Sequence, residues 1–276
     1  MNAEEPMSDP ITEHKDPDLH IALIQFDIQW HDPVRNRARI DALLDRHDVA
    51  NRDLIVLPEM FTTGFTMAAD EVAESPDGPT VRWMQKRSAE LNAVITGTLA
   101  VQEGGAAFNR LIFAHPDGSI EHYDKRHLFR MANEHTAYTP GQTRPIFTLK
   151  GWRLRPIICY DLRFPVWCRA VDDYDILLCP ANWPSPRHAA WVSLLTARAI
   201  ENIAYVIATN RVGQDAHDKL YLGNSKAINA KGHTLCDALD AEGVVQTSLS
   251  KSALLRFRER FPVHIDADAF TLVERE

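Results

Sequence analysis

Short β-rich runs alternate with amphipathic helical patterns along this chain, and the alternation occurs in both halves. The predicted strands of this alternation cover residues 19–28, 53–60, 93–100, 152–159, 174–183 and 204–210. The predicted helices cover residues 34–48, 79–92, 165–171 and 188–203. Strands that alternate with helices are typical of α/β domains, in which helices cover the outer faces of the sheets. The repeated order predicts an α/β fold with two packed sheets.

Two further segments have the pattern of β-hairpins. Residues 109–125 contain the turn sequence Pro-Asp-Gly, and residues 224–235 contain a glycine between two β-rich runs. Because hairpins pair antiparallel strands, the two sheets are predicted to be mixed. A last helix is predicted at residues 250–260, and residues 268–276 fit either an edge strand or a tail.

The limits of the domain follow from the distribution of prolines and charges. Residues 1–17 are acidic and contain three prolines, which predicts a disordered N-terminal tail. Residues 18–262 contain no linker and are predicted to form a single domain. Residues 263–276 are expected to form a C-terminal tail, for which a dimer interface is one candidate location.

Composition and charge exclude several classes of function. The 276 residues include 30 Lys and Arg against 38 Asp and Glu, a formal net charge of −8, without a basic stripe for a nucleic acid. No apolar run reaches the roughly 18 residues of a membrane helix, and a signal peptide is not recognisable. A cytoplasmic location is therefore expected. The four cysteines show no metal-binding spacing, and no glycine-rich phosphate loop is present, so neither a metal nor a cofactor is predicted.

Three reactive side chains lie at or just after the ends of β-rich runs. Glu59 follows "IVLP", Lys125 follows the first hairpin, and Cys159 ends the run "RPIIC". Separately, they fit a backbone cap, a solvated charge and a packed core thiol. Together their chemistry is complementary, because a carboxylate can deprotonate a thiol and an ammonium can stabilise an oxyanion. The protonated carboxylate can then return a proton to a departing nitrogen. The combination predicts acyl transfer from an amide.

The segments around these residues resemble the motifs of the nitrilase superfamily of carbon–nitrogen hydrolases. The three motifs, in the family's order, are "LPEMFTTGF" (57–65), "YDKRHLF" (123–129) and "IICYDLRFP" (157–165). Further similar segments, including "ANWP" (181–184), extend the resemblance over about residues 19–262. The resemblance implies a four-layer α-β-β-α sandwich with two mixed β-sheets, usually assembled as a homodimer.

The resemblance also implies roles for individual residues. Glu59 would be the base, Lys125 an oxyanion donor and Cys159 the nucleophile, with the backbone N–H of Tyr160 as the second oxyanion donor. Glu134 stands where the family often has a second glutamate near the thiol. A surface-loop acid is the alternative interpretation of Glu134.

The motif "CYDLRFP" resembles the omega-amidase branch, whereas true nitrilases usually have Trp-Glu after the cysteine. Omega-amidases hydrolyse the terminal amide of 2-oxo acid monoamides, such as 2-oxoglutaramate and 2-oxosuccinamate, to the dicarboxylate and ammonia. Arg163 is a candidate partner for the substrate carboxylate, although an ion pair with Asp161 or Glu134 fits equally well. The candidate pocket walls, each of which also fits a core position, are Phe61, Phe65 and Trp183.

Other functions remain open at this stage. The first is a non-catalytic member of the superfamily that binds a small molecule, but the presence of all three reactive residues argues against it. The second is another carbon–nitrogen hydrolase, such as a carbamoylase or a nitrilase, or a related acyl transferase. His127 and His188 offer a papain-like Cys–His pair, although the Glu–Lys pairing explains more of the sequence.

Overall fold

The computed structural model of the chain describes residues 17–171 and 173–273, so the predicted disorder of the N-terminal tail lies almost entirely outside the described residues. The strands are β1 (Leu19–Gln25), β2 (Leu54–Val56), β3 (Val94–Glu103), β4 (Ala106–Ala114), β5 (Ile120–Asp124), β6 (Phe147–Leu149), β7 (Trp152–Pro156), β8 (Ile176–Pro180), β9 (Tyr205–Thr209), β10 (Val212–Gln214), β11 (Leu220–Leu222), β12 (Lys226–Ile228), β13 (Thr234–Asp237) and β14 (Gly243–Leu249). The helices are α1 (Pro33–Arg46), α2 (Ala69–Val72), α3 (Pro79–Leu91), α4 (Glu134–Ala137), α5 (Pro165–Cys168), α6 (His188–Asn202) and α7 (Lys251–Arg260).

Twelve of the described strands form two mixed six-stranded sheets, and β10 and β11 pair separately as a two-stranded antiparallel sheet. The strand order of the first sheet is β14-β1-β2-β3-β4-β5, and that of the second is β13-β12-β9-β8-β7-β6. The central strands β1, β2 and β3 are parallel, as are β7, β8 and β9, while the outer strands pair antiparallel. The predicted α/β fold with two mixed sheets is therefore confirmed.

Alternating side chains of β1 bind the layers together. Leu19, Ile21 and Leu23 pack into the core that is shared with the second sheet. Ala22 and Ile24 point the other way and contact the apolar faces of α1 and α3. Successive side chains of a strand face opposite sides of the sheet, so β1 contributes to both cores. Since α6 packs on the outer side of the second sheet, the layers follow the predicted α-β-β-α order.

One strand of the first sheet was not predicted. β14 pairs antiparallel with the whole of β1, from Leu19 opposite Leu249 to Gln25 opposite Gly243. Its sequence mixes valines with polar residues, and most of its side chains are only half-buried, as is common at a sheet edge. The second half of the chain therefore completes the first sheet, and the two halves do not fold as separate repeats.

The C-terminal region is only partly described. Residues 267–273 contain no strand, and residues 274–276 lie outside the described part. The predicted domain limits stay a prediction. Within the two described ranges, no helix combines the length and the apolar character that a membrane span requires.

Candidate active site

Lys125 joins two buried glutamates beyond the ends of the strands. Its Nζ atom lies 2.8 Å from Oε1 of Glu59 and 3.0 Å from both carboxylate oxygens of Glu134. All three side chains are almost completely withdrawn from solvent. Because a buried charge is costly unless it is paired, the lysine and the two carboxylates depend on one another. The structure thus brings Glu59 to a lysine that lies 66 residues away in the sequence, while Glu134 is nine residues from that lysine.

Neutral donors fix the orientation of the two carboxylates. Asn109 Nδ2 donates to Oε1 of Glu59 at 2.8 Å and to Oε1 of Glu134 at 3.1 Å. The backbone N–H of Asn182 donates to Oε2 of Glu59 at 2.7 Å, and that of Phe129 to Oε2 of Glu134 at 2.6 Å. Each carboxylate oxygen therefore has at least one N–H donor, as buried polar atoms require.

Cys159 begins a short 3-10 turn, Cys159–Arg163, three residues after Pro156, the last residue of β7. Its φ angle of +44° lies in the left-handed region, which a residue with a Cβ atom rarely adopts. β7 ends three residues earlier than predicted, and the thiol faces a cavity with 9% of the residue exposed. Tyr160 is the second residue of the turn, where a backbone N–H has no partner within the turn itself.

The buried carboxylate of Asp161 connects this turn to the lysine motif. It accepts hydrogen bonds from the backbone N–H groups of Ile158 at 2.9 Å and of His127 at 2.8 Å. The hydroxyl of Tyr123 donates to it at 2.7 Å, and Nδ1 of His127 lies 2.7 Å away. Tyr123 and His127 flank Lys125 in the sequence. One carboxylate therefore holds the thiol-bearing turn and the lysine segment together.

Burial and neighbouring charges shift the proton affinities of this cluster. Burial raises the pKa of the Cys159 thiol well above its ordinary value, and the negative charge of Glu59 raises it further. Burial alone would lower the pKa of Lys125, but the carboxylates of Glu134 and Glu59 outweigh it and raise that pKa. Burial also raises the pKa of Glu134. At neutral pH the lysine is therefore charged and the thiol protonated, so the thiol needs a base when it attacks.

The cavity beside Cys159 is lined by aromatic and cationic side chains. Four residues that the sequence singled out line it together with Cys159 and Lys125: Phe65, Tyr160, Arg163 and Trp183. The Cζ atom of Arg163 lies 4.8 Å from the centroid of the Trp183 ring, and Nζ of Lys125 lies 5.1 Å from that of Phe65. Seven further described residues line the cavity and were not predicted as site residues: Phe129, Ala132, Asn182, Pro184, Arg187, Lys219 and Tyr221.

Phe61 does not line this cavity, so its prediction as a pocket wall is wrong. The residue is fully buried in the core between the first sheet and its helices, where its ring centroid lies 6.1 Å from that of Trp83. The reason is local, because Met60 has a φ angle of +40° and the chain turns between Glu59 and Phe61. Strand-like alternation therefore does not place both side chains on one side.

The structure also bears on two alternative interpretations. Among the described residues, Arg163 forms no ion pair with Asp161 or Glu134, whose carboxylates are occupied by the donors named above. His127 stacks on Phe164 with ring centroids 3.7 Å apart, and neither His127 nor His188 lines the cavity. A papain-like pairing with Cys159 is therefore not formed.

The raised pKa of the thiol predicts the pH dependence of its alkylation. Because the thiolate is the reactive form, the rate of Cys159 modification by iodoacetamide should keep rising beyond about pH 8.5, the ordinary thiol pKa. Glu59→Gln removes a negative neighbour and should lower the apparent pKa. Mass spectrometry of the Cys159 peptide over a pH series measures both. A rate that is already constant near neutral pH in the wild type would contradict this account.

Comparison with known proteins agrees with this arrangement. A family model described as carbon-nitrogen hydrolase matches residues 20–258. The chain belongs to the carbon–nitrogen hydrolase family. The omega-amidase YafV of Escherichia coli (strain K12) is 46% identical over 258 residues, which cover 93% of this chain and 99% of that protein. The 2-oxoglutaramate amidase of Bacillus subtilis (strain 168) is 33% identical and covers 89% of this chain and 96% of its own.

A solved structure supports the same classification of this carbon–nitrogen hydrolase. A superfamily protein from Xanthomonas campestris, whose active site carries an arsenic adduct, is 46% identical to the chain. It superposes with a TM-score of 0.90 over 93% of this chain and 100% of its own. The resemblance to the nitrilase superfamily is thus confirmed, and the protein is an omega-amidase-like amidohydrolase.

Proposed function

We propose that this carbon–nitrogen hydrolase converts 2-oxo acid monoamides, such as 2-oxoglutaramate and 2-oxosuccinamate, into the dicarboxylate and ammonia. The charge of the cavity carries the proposal. The cations Lys125, Arg163, Arg187 and Lys219 line it with the Cys159 thiol, whereas none of the described aspartates or glutamates does. A carboxylate that leaves water needs a cationic or hydrogen-bonding partner. The cavity therefore favours an amide whose far end is anionic.

The proposed acylation step uses Glu59 as the base. It takes the thiol proton while Sγ of Cys159 attacks the amide carbon, and the carbonyl oxygen becomes an oxyanion. Lys125 Nζ and the backbone N–H of Tyr160 donate to this oxyanion. When the tetrahedral intermediate collapses, the C–N bond breaks and Glu59 returns its proton to the departing nitrogen. Ammonia leaves, and a thioester remains on Cys159.

Water then completes the proposed reaction. Glu59, ionised again, deprotonates the water that attacks the thioester carbon, and the C–S bond breaks to give the carboxylate product and the thiol. Glu134 holds Lys125 in place through both of its carboxylate oxygens. It therefore acts as a positioning residue that keeps the ammonium charged and aimed throughout both steps.

Two of the relatives support the substrate class. They are an omega-amidase and a 2-oxoglutaramate amidase, and they cover nearly the whole of this chain. In this proposal Arg163 pairs with the substrate carboxylate, while Phe65 and Trp183 form the walls. Glutamine would bring an α-ammonium group next to cations, with no lining acid in the described residues to receive it.

Ammonia release from a short panel of compounds tests the proposal. We expect turnover of 2-oxoglutaramate and 2-oxosuccinamate, and little from an aliphatic nitrile or from an N-carbamoyl amino acid. Faster turnover of the nitrile or of the carbamoyl compound would contradict the proposed substrate class and indicate a nitrilase or a carbamoylase instead. Ammonia release from none of the compounds would favour a non-catalytic binding function.

We further propose a homodimer. The resemblance to the family supports it, and so do partly exposed apolar side chains at the C-terminal end, where Phe270, Leu272 and Val273 are 38%, 44% and 82% exposed. Such residues gain stability when a partner subunit removes them from water. Sedimentation velocity at micromolar concentration should show the mass of two chains. A monomer at that concentration would refute the dimer.

A further inference from the structure

We propose that Arg187 is a second carboxylate-binding residue, which together with Arg163 recognises the 2-oxo acid end of the substrate. The inference rests on the proposed function and adds a specificity-determining residue that lies outside the three sequence motifs. Arg187 ends the 3-10 turn Ser185–Arg187, directly before α6, and lines the same cavity as Cys159.

Both arginines are held against aromatic rings. The Cζ atom of Arg187 lies 5.0 Å from the ring centroid of Phe129, and that of Arg163 lies 4.8 Å from the ring of Trp183. A guanidinium that stacks on a ring keeps its N–H edge available for a planar acceptor. Within the part of the chain that the structure describes, neither arginine has an acidic partner. Lys219 differs from the two arginines, because it is exposed to solvent and its positive charge lowers the pKa of Asp215.

Trp183 contacts both arginine residues. Its ring stacks with the guanidinium of Arg163, and its Nε1 donates to the backbone oxygen of Arg187 at 2.8 Å. Trp183 is only 3% exposed, and its backbone N–H donates to Oδ1 of Asn210 at 2.8 Å. One well-anchored residue therefore holds the guanidinium of Arg163 and the backbone of Arg187, while the ring of Phe129 holds the guanidinium of Arg187. Such an arrangement is organised before the ligand binds, which lowers the entropy cost of binding.

Two unpaired guanidinium groups match the chemistry of a 2-oxo acid. Its carboxylate and the adjacent ketone present three oxygen acceptors and no donor. One guanidinium can bind the two carboxylate oxygens in a bidentate manner, and the other can donate to the ketone oxygen. An α-amino acid amide has an ammonium in place of the ketone. It therefore lacks the ketone acceptor and carries a positive charge that the two guanidinium groups repel. The pair thus selects for the group at C2 as well as for the carboxylate.

Steady-state kinetics of Arg187→Ala tests this inference on two substrates. The anionic substrate is 2-oxoglutaramate, and the neutral one is pentanamide, which has the same chain length. We expect KM for 2-oxoglutaramate to rise by about 10- to 100-fold, as for the loss of a hydrogen bond to a charged group, while kcat falls much less. For pentanamide, kcat/KM should stay within about threefold. Arg187→Lys should restore part of the affinity.

The matched control is Arg130→Ala, because Arg130 is exposed and does not line the cavity. It should leave KM for 2-oxoglutaramate unchanged. The inhibition constant of the product 2-oxoglutarate gives a second readout, which does not depend on turnover of pentanamide and should rise in Arg187→Ala to a similar extent. An unchanged KM and inhibition constant in Arg187→Ala would overturn the role of Arg187. A wild-type enzyme without activity on 2-oxoglutaramate would instead overturn the proposed function.

Discussion

Replacing Cys159 by alanine or serine is expected to abolish turnover while the protein stays folded. The proposed reaction forms a bond to Sγ, and no other thiol lines the cavity in the described residues. A serine hydroxyl would fit the same space, but it is a far weaker nucleophile for this base. We expect kcat to fall by at least ~10⁴-fold, as for other nucleophiles that act within a catalytic group. Ammonia release measures kcat, and thermal unfolding checks the fold.

Selective labelling provides the control for this result. A thiol-directed electrophile should modify Cys159 ahead of Cys168 and Cys179, which are fully buried in the core, and of Cys236, which lies outside the cavity. Cys236→Ser should keep wild-type kcat, since it changes a thiol of the second sheet only. Labelling of one of these three cysteines while Cys159 stays unmodified would refute the assignment of Cys159 as the nucleophile.

Lys125→Ala and Glu59→Gln should each lower kcat strongly. Loss of an oxyanion donor typically costs ~10²–10³-fold in rate, and loss of a general base ~10²–10⁴-fold. Lys125→Ala also leaves Glu59 and Glu134 buried without their shared cation, so we expect a lower midpoint of thermal unfolding as well. Glu59→Gln keeps the size of the side chain and should disturb the fold less. Kinetics at saturating 2-oxoglutaramate measures both effects.

Lys226→Ala separates catalysis from stability. Lys226 is also buried and pairs with Asp237 at 2.8 Å, but it lies in β12 and does not line the cavity. We expect this variant to unfold at a lower temperature while its kcat at 25 °C stays near the wild-type value. Near-normal kcat in Lys125→Ala would mean that this lysine is only a structural charge.

Much of the fold could be predicted because its elements have clear periodicities. The apolar face of α6 and the hairpin turn after β4 need only local sequence, and both occur where they were predicted. β14 could not be found in this way, because its polar and apolar residues make sense only beside β1. The left-handed backbone of Cys159, with a φ angle of +44°, could not be predicted either, because the residue type does not reveal it.

In the candidate site, too, some features could be predicted from the sequence and others could not. Glu59 and Lys125 meet as their positions at the ends of β-rich runs predicted, and Glu134 joins them as the resemblance to the family implied. Asn109 orients both carboxylates, but its position within β4 looks like that of any buried strand residue. Arg187 lies outside every motif, and the ring beside its guanidinium belongs to Phe129, a residue distant in the sequence. Contacts between distant segments carry no signal in one sequence.

The ratio of kcat/KM for 2-oxoglutaramate to that for glutamine tests the account most directly. The two amides share the carboxylate, the chain and the reacting group, and differ only in the ketone or ammonium at C2. A site with unpaired cations and no lining acid in the described residues should reject the ammonium, because it leaves buried groups mismatched. We predict a ratio on the order of 10² or more. Equal values, or a preference for glutamine, would contradict the proposed substrate class.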